Sequence, residues 1–141
     1  MPWLTQELKQ LATKRLEELY LKVSFGKHVN EIDEFSSSSI ESRVEDLHDA
    51  FRDPTIKLVI TVIGGFNSNQ LLRYLDYGMI KKNLKIFCGY SDITALSNAI
   101  YAKTGLVTIP ARITFLLAIN KGLTIRSIAS KDAFSLTPRS I

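Results

Sequence analysis

The chain is poor in the residues that mark several functional classes. It has a single cysteine, Cys88. One thiol has no internal partner, so a disulfide-stapled fold is excluded and a reducing, cytoplasmic setting is expected. It has two histidines, His28 and His48. Neither has the other residues of a metal site near it, and no metal or cofactor is expected. The longest apolar runs, such as Leu58-Val59-Ile60 and Phe115-Leu116-Leu117-Ala118-Ile119, fall far short of the roughly 20 residues a membrane-spanning helix needs. Met1-Pro2-Trp3 leads straight into an amphipathic stretch, so no signal peptide is expected. The G-x-G-x-x-G fingerprint of dinucleotide sites is missing.

Charge of one sign is also scarce in the main body. The formal net charge is +4. Residues 109–141 hold Arg112, Lys121, Arg126, Lys131 and Arg139 against Asp132 alone, so this excess lies there and residues 1–108 are neutral. With charges interspersed and no run of stacking aromatics, nucleic acid is not an expected partner.

What remains is one domain's worth of chain, 141 residues, long enough to bury a core. Leu4, Leu8, Leu11, Leu16 and Leu19 recur at helical spacing and predict a helix over 5–20. Leu21-Lys22-Val23-Ser24-Phe25 alternates and predicts a strand ending at Gly26. Residues 27–39 are polar and read as a loop. Ser38 with Glu41 suggests a capping box, opening a helix with Ile40, Val44, Leu47, Ala50 and Phe51 on one face, closed by Asp53-Pro54. His48, among Glu45, Asp46 and Asp49, is expected to face solvent.

Ile56–Ile63 is mostly β-branched and nearly continuous in apolar character, as in a strand buried on both faces of a parallel sheet. Gly64-Gly65 breaks it. A helix is expected around 69–76, with Leu71, Leu72 and Leu75. A third strand follows over 84–88, then a helix over 92–103 with Ile93, Leu96, Ala99 and Ile100 inward and Gly105 as its cap. Leu106-Val107-Thr108 begins a fourth strand. The alternation predicts an α/β fold, a three-layer, Rossmann-like parallel sheet with flanking helices. The chain opens on a helix, so the sheet is expected to be incomplete at its N-terminal end.

Reactive groups of open α/β sheets collect at the carboxyl ends of strands. Two such ends stand out. At Cys88-Gly89-Tyr90-Ser91-Asp92, a serine on a tight strand-to-helix turn would expose its hydroxyl, and the Asp92 amide could donate to an oxyanion. The second flanking glycine of the α/β-hydrolase elbow is Ile93 here. Ser91 or Asp92 as a plain helix cap is the simpler reading on spacing alone. At Ile63-Gly64-Gly65-Phe66-Asn67-Ser68, the glycines would let backbone approach a ligand and supply a second oxyanion donor, or form a tight loop with no ligand. Asn67, Ser68 and Asn69 could bind a polar substrate or cap the next helix.

The run from Ile63 to Asp76, followed by Gly89-Tyr90-Ser91-Asp92-Ile93-Thr94-Ala95-Leu96, resembles serine peptidase family S66, which contains the LD-carboxypeptidases and the microcin C self-immunity proteins. The resemblance covers about residues 7–108. It implies that Ser91 is the nucleophile, that the Asp92 amide and Gly64-Gly65 shape the oxyanion site, and that Phe66, Asn67 and Ser68 flank the substrate. It implies a small peptide substrate, either a murein peptide cut between an L- and a D-residue or a peptidyl-nucleotide, and a homodimer. Asn67 and Ser68 look more like the immunity branch.

Two departures accompany it. Family members begin with an extra strand, and they carry the triad's glutamate and histidine in a C-terminal domain; neither is found here. After Thr108 the family usually continues Tyr-Ser-Gly-Pro-His, whereas this chain has Ile109-Pro110-Ala111-Arg112-Ile113. Deleting one base from a string encoding the first sequence yields the second, so residues 109–141 are expected to be a frameshifted tail after an N-terminal domain of residues 1–108. The alternative is a genuine divergent segment with Ile113–Ile119 as a strand. Two functional classes follow: a serine peptidase half-site, inactive in this chain alone, and a non-catalytic remnant or small-ligand-binding α/β module.

Overall fold

In the computed structural model, residues 5–34 and 37–110 are described. The tail from residue 111 onward, including Ile113–Ile119, lies outside the described residues. Helix α1 spans Gln6–Glu17, with Thr5 accepting from the Leu8 amide, Glu7 in its first turn and Lys14 and Arg15 in its last, charges that suit the helix dipole. Helix α2 spans Ile40–Arg52 and starts on Ser39, which accepts from the Ser42 amide at 3.0 Å. The cap is therefore Ser39 and not Ser38, because a run of serines carries no register of its own.

The expected strand at 21–25 does not form. Alternation supplies a strand only where a neighbouring strand accepts its hydrogen bonds, and among the described residues no strand pairs with this segment. Instead Phe25 sits under the Lys9 ammonium, 5.4 Å from its ring centroid.

Three strands make a parallel sheet in the order β1-β2-β3: β1 Leu58–Ile60, β2 Ile86–Gly89 and β3 Thr108–Pro110. Register runs Leu58 to Ile86 and Ile60 to Cys88 on one side, and Cys88 to Ile109 and Gly89 to Pro110 on the other. The central strand β2 is the most buried. The strand expected over 56–63 is only three residues long and half-buried, being an outer strand of the described sheet, although Lys57 O and Thr61 N continue its ladder to β2.

The helix expected near 69–76 is instead a single 3-10 turn, Ser68–Leu71, and a separate helix α3 at Tyr77–Lys82. Asp76 decides this. Its carboxylate accepts from the Met79 amide at 2.8 Å, so it caps α3, and its own N–H leaves the helical path to donate to His48 Nε2 at 3.0 Å. The 92–103 helix is a 3-10 turn, Ser91–Ile93, running into α4, Thr94–Thr104, which ends on left-handed Gly105. Phe51, Leu71, Leu75, Ile80, Phe87, Ile93, Leu96 and Ile100 form one buried cluster, to which β2 contributes Phe87. No helix among the described residues is long and apolar enough to cross a membrane.

His48 corrects the expectation that it faces solvent, for it is only 8% exposed. Because Nε2 accepts from the Asp76 amide, the neutral ring is the bonded form. Burial, aided by Arg52, holds its pKa below the usual value, against the pull of Asp76 and Asp49. His28 goes the other way. Hydrogen bonding to Glu31, with help from Glu45, raises its pKa despite partial desolvation.

The signs give opposite pH windows. A lowered folded pKa means the unfolded chain binds more protons below the ordinary value of about 6.5, so the His48 contribution is lost as pH falls from there. A raised folded pKa means the His28 contribution is full below about 6.5 and lost as pH rises. The unfolding free energy from urea denaturation between pH 5 and 8 is expected to fall on the acid side with a slope of at most about 1.4 kcal/mol per pH unit from His48. His48→Gln should flatten the acid limb and leave the alkaline one. An unchanged acid limb in that variant would refute the assignment.

Candidate active site

The site grows from the carboxyl end of β2. Gly89 must be glycine here, since a Cβ would lie 2.3 Å from Ile93 Cγ2 and 2.9 Å from Thr61 Oγ1. That close approach lets the chain turn within two residues. Ser91 then takes φ +61°, a left-handed conformation costly for a non-glycine residue. Its side chain is exposed. The residues after it enter a helical segment whose first amides have no intrahelical acceptor, so the Asp92 N–H is of the kind that serves an anion. This is a strained serine turn at the junction of strand and helix. Strain at this position is not what a plain helix cap requires, since caps adopt extended backbone without cost.

The glycine loop lies against that serine. A Cβ on Gly64 would sit 3.1 Å from Ser91 Cβ and 3.4 Å from Ser91 Oγ. Gly65 has φ +153°, where a side chain would be strained, and a Cβ there would meet the Asp92 carboxylate at 3.4 Å. Phe66 is 69% exposed beside them. Ser68 is buried; its amide donates to Asp92 Oδ2 at 2.8 Å and its hydroxyl to Asp92 O at 2.7 Å. Asn67 donates through Nδ2 to Ser37 Oγ at 3.0 Å, and its Oδ1 accepts from Arg43 at 3.0 Å.

All seven residues singled out in the sequence therefore converge: Gly64, Gly65, Phe66, Asn67, Ser68, Ser91 and Asp92. Their placements differ in kind. Ser91 and Phe66 are exposed and the glycines lie against Ser91 and Asp92, whereas the Asn67 and Ser68 side chains are hydrogen-bonded within the loop's surroundings. Arg43 was missed. It lies on α2, whose helical pattern signals only a surface position, and its partners are more than 20 residues away.

Neither histidine attends Ser91. Both ring nitrogens of His28 are bonded, to Glu31 and Glu45, and His48 is bonded to Asp76. Among the described residues no cluster of three or more His, Cys, Asp or Glu could hold a metal.

A parallel sheet with flanking helices, a strained serine at the end of its central strand and a glycine loop against it define an open α/β domain. The chain belongs to peptidase family S66: the family's model, described as the LD-carboxypeptidase N-terminal domain, matches residues 4–111. The chain is 53% identical to YocD of Bacillus subtilis (strain 168) over 146 aligned positions, covering 99% of this chain and 45% of that protein. The crystal structure of an MccF-like protein from Bacillus anthracis str. Ames superposes with TM-score 0.83 at 56% identity, over 86% of this chain and 37% of that one. The structure of MccF in complex with glutamyl sulfamoyl guanosine gives TM-score 0.70 at 38% identity, over 77% and 33% of the two chains. The chain thus spans less than half the length of the curated relatives it matches.

Proposed function

We propose that this chain carries the nucleophile half of an LD-carboxypeptidase-type serine peptidase, acting by acyl transfer to Ser91. The observation that supports this most is the left-handed Ser91 beside Gly64. In the reaction, Ser91 Oγ attacks the scissile carbonyl and its proton passes to a general base. The tetrahedral oxyanion is met by the Asp92 N–H and the Gly64-Gly65 backbone. The C–N bond then breaks as the departing amine takes a proton, and water releases the acyl group from Ser91. Phe66 offers an apolar wall to the substrate. The substrate class is a small peptide with an L-to-D junction or an aminoacyl-nucleotide conjugate, the latter in keeping with the glutamyl sulfamoyl guanosine complex of MccF. One observation favours a non-catalytic module for residues 1–141 taken alone: both histidines are engaged away from Ser91.

Chemical rescue tests the reading. A depsipeptide ester joining L-lysine to D-lactate replaces the amide with a better leaving group, and added imidazole stands in for the base. Hydrolysis by the 141-residue polypeptide is expected to rise with imidazole concentration above the rate of its Ser91→Ala variant, with D-lactate preferred over L-lactate. Equal rates for the two proteins at every imidazole concentration would sink the nucleophile assignment.

A further inference from the structure

The glycine loop has no ladder of its own, since residues 62–67 lie in neither helix nor strand. Yet Gly64 sits within van der Waals reach of Ser91, and a shift of about 1 Å at such a site costs on the order of a hundredfold in rate. Something must set its height.

Polar ties at its end do so. Ser68 donates its amide and its hydroxyl to Asp92, and Asn67 donates to Ser37. Arg43 of α2 adds the longest reach. Its Nη1 donates to Asn67 O at 3.3 Å and to Asn67 Oδ1 at 3.0 Å, its Nη2 donates to Gln70 Oε1 at 3.1 Å, and its Nε donates to Ser39 O at 3.3 Å at the start of its own helix. The planar guanidinium thus bridges the α2 N-terminus, the end of the glycine loop and the 3-10 turn that follows. Partial burial lowers its pKa while Asp33 and Asp92 favour its charge. An arginine remains protonated throughout.

We propose that Arg43 is the positioning residue of the glycine loop, clamping Asn67 and Gln70 so that Gly64-Gly65 is held at a fixed height over Ser91. The proposal deepens the reading of Ser91 as nucleophile and rests on it. A lysine at position 43 has the charge but not the fork, and a single ammonium would not span Asn67 and Gln70.

Amide hydrogen exchange followed by NMR on the whole 141-residue chain tests this without relying on turnover. In Arg43→Met and Arg43→Lys, the Ser68 amide bonded to Asp92 and the Gln70 amide bonded to Asn67 O are expected to exchange roughly tenfold or more faster, while β2 and α4 amides stay within about twofold of the original. Arg43→Lys is expected to keep the thermal midpoint, so loop loosening with unchanged global stability separates positioning from packing. Unchanged loop exchange in both variants would overturn the clamp. So would full protection in Arg43→Lys, which would make charge alone sufficient, or acceleration spread equally over β2 and α4. If the imidazole experiment shows no difference between the original chain and Ser91→Ala, the nucleophile reading fails, whereas the exchange pattern still decides the role of Arg43.

Discussion

The polypeptide of residues 1–141, offered an L,D-tetrapeptide amide, is expected to release D-alanine no faster than its Ser91→Ala variant. Amides are poor acyl donors, so serine attack on them depends on a base that takes the hydroxyl proton and returns it to the leaving amine. When a triad enzyme loses its base, the rate drops by about 10⁴–10⁶, leaving only what the oxyanion donors and substrate binding supply. The described residues contain Ser91 and the glycine loop. His28 is tied to two glutamates and His48 to a backbone amide on α3. Freeing His48 would also leave the Asp76 N–H without its partner, at a cost of about 1–3 kcal/mol. A coupled D-amino-acid oxidase assay measures the outcome. Ser91-dependent release of D-alanine without added imidazole would show that a base does reach the serine.

The second large effect is on stability. Phe51→Ala is expected to cost about 3–5 kcal/mol. Phe51 is fully buried and stacks on Phe87 of the central strand, with ring centroids 6.3 Å apart and planes 29° off parallel. It is the main fully buried link from α2 to the sheet, and its removal leaves a cavity bounded by rigid elements. Domains of this size are stable by about 5–15 kcal/mol, so the loss is a large share of the whole. Chemical denaturation at pH 7, with the slope compared to confirm two-state behaviour, reads it directly. A loss under about 1 kcal/mol would mean that α2 is not packed as described.

These expectations draw differently on sequence and structure. Elements with strong local signals were legible. The α2 helix and the α4 helix with its Gly105 cap are written in apolar periodicity and end signals that hold whatever surrounds them. The same is true of β2, whose short apolar run stops at Gly89. The two motifs were legible for a related reason: both depend on backbone shape, and glycine marks the close approach at 89 and the left-handed backbone at 65. Elements that depend on a distant partner were not. Residues 21–25 have a strand's alternation but pair with no strand among the described residues. Residues 69–76 have a helix's leucines, yet Asp76 finds a histidine 28 positions away and breaks the run.

Ser91 follows the same division. Its residue type and its place between a strand and a helix, with Gly64-Gly65 ending an earlier strand, were set by local sequence, because turn chemistry acts over three or four residues. Which groups stand around it was set by packing, because hydrogen bonds between α2, the glycine loop and the turn at Ser91 join residues separated by about 24 positions. Spacing along one chain carries no record of such pairs. The fold alone bonded Ser68 to Asp92 and Asn67 to Ser37 and Arg43, and engaged both histidines with other partners.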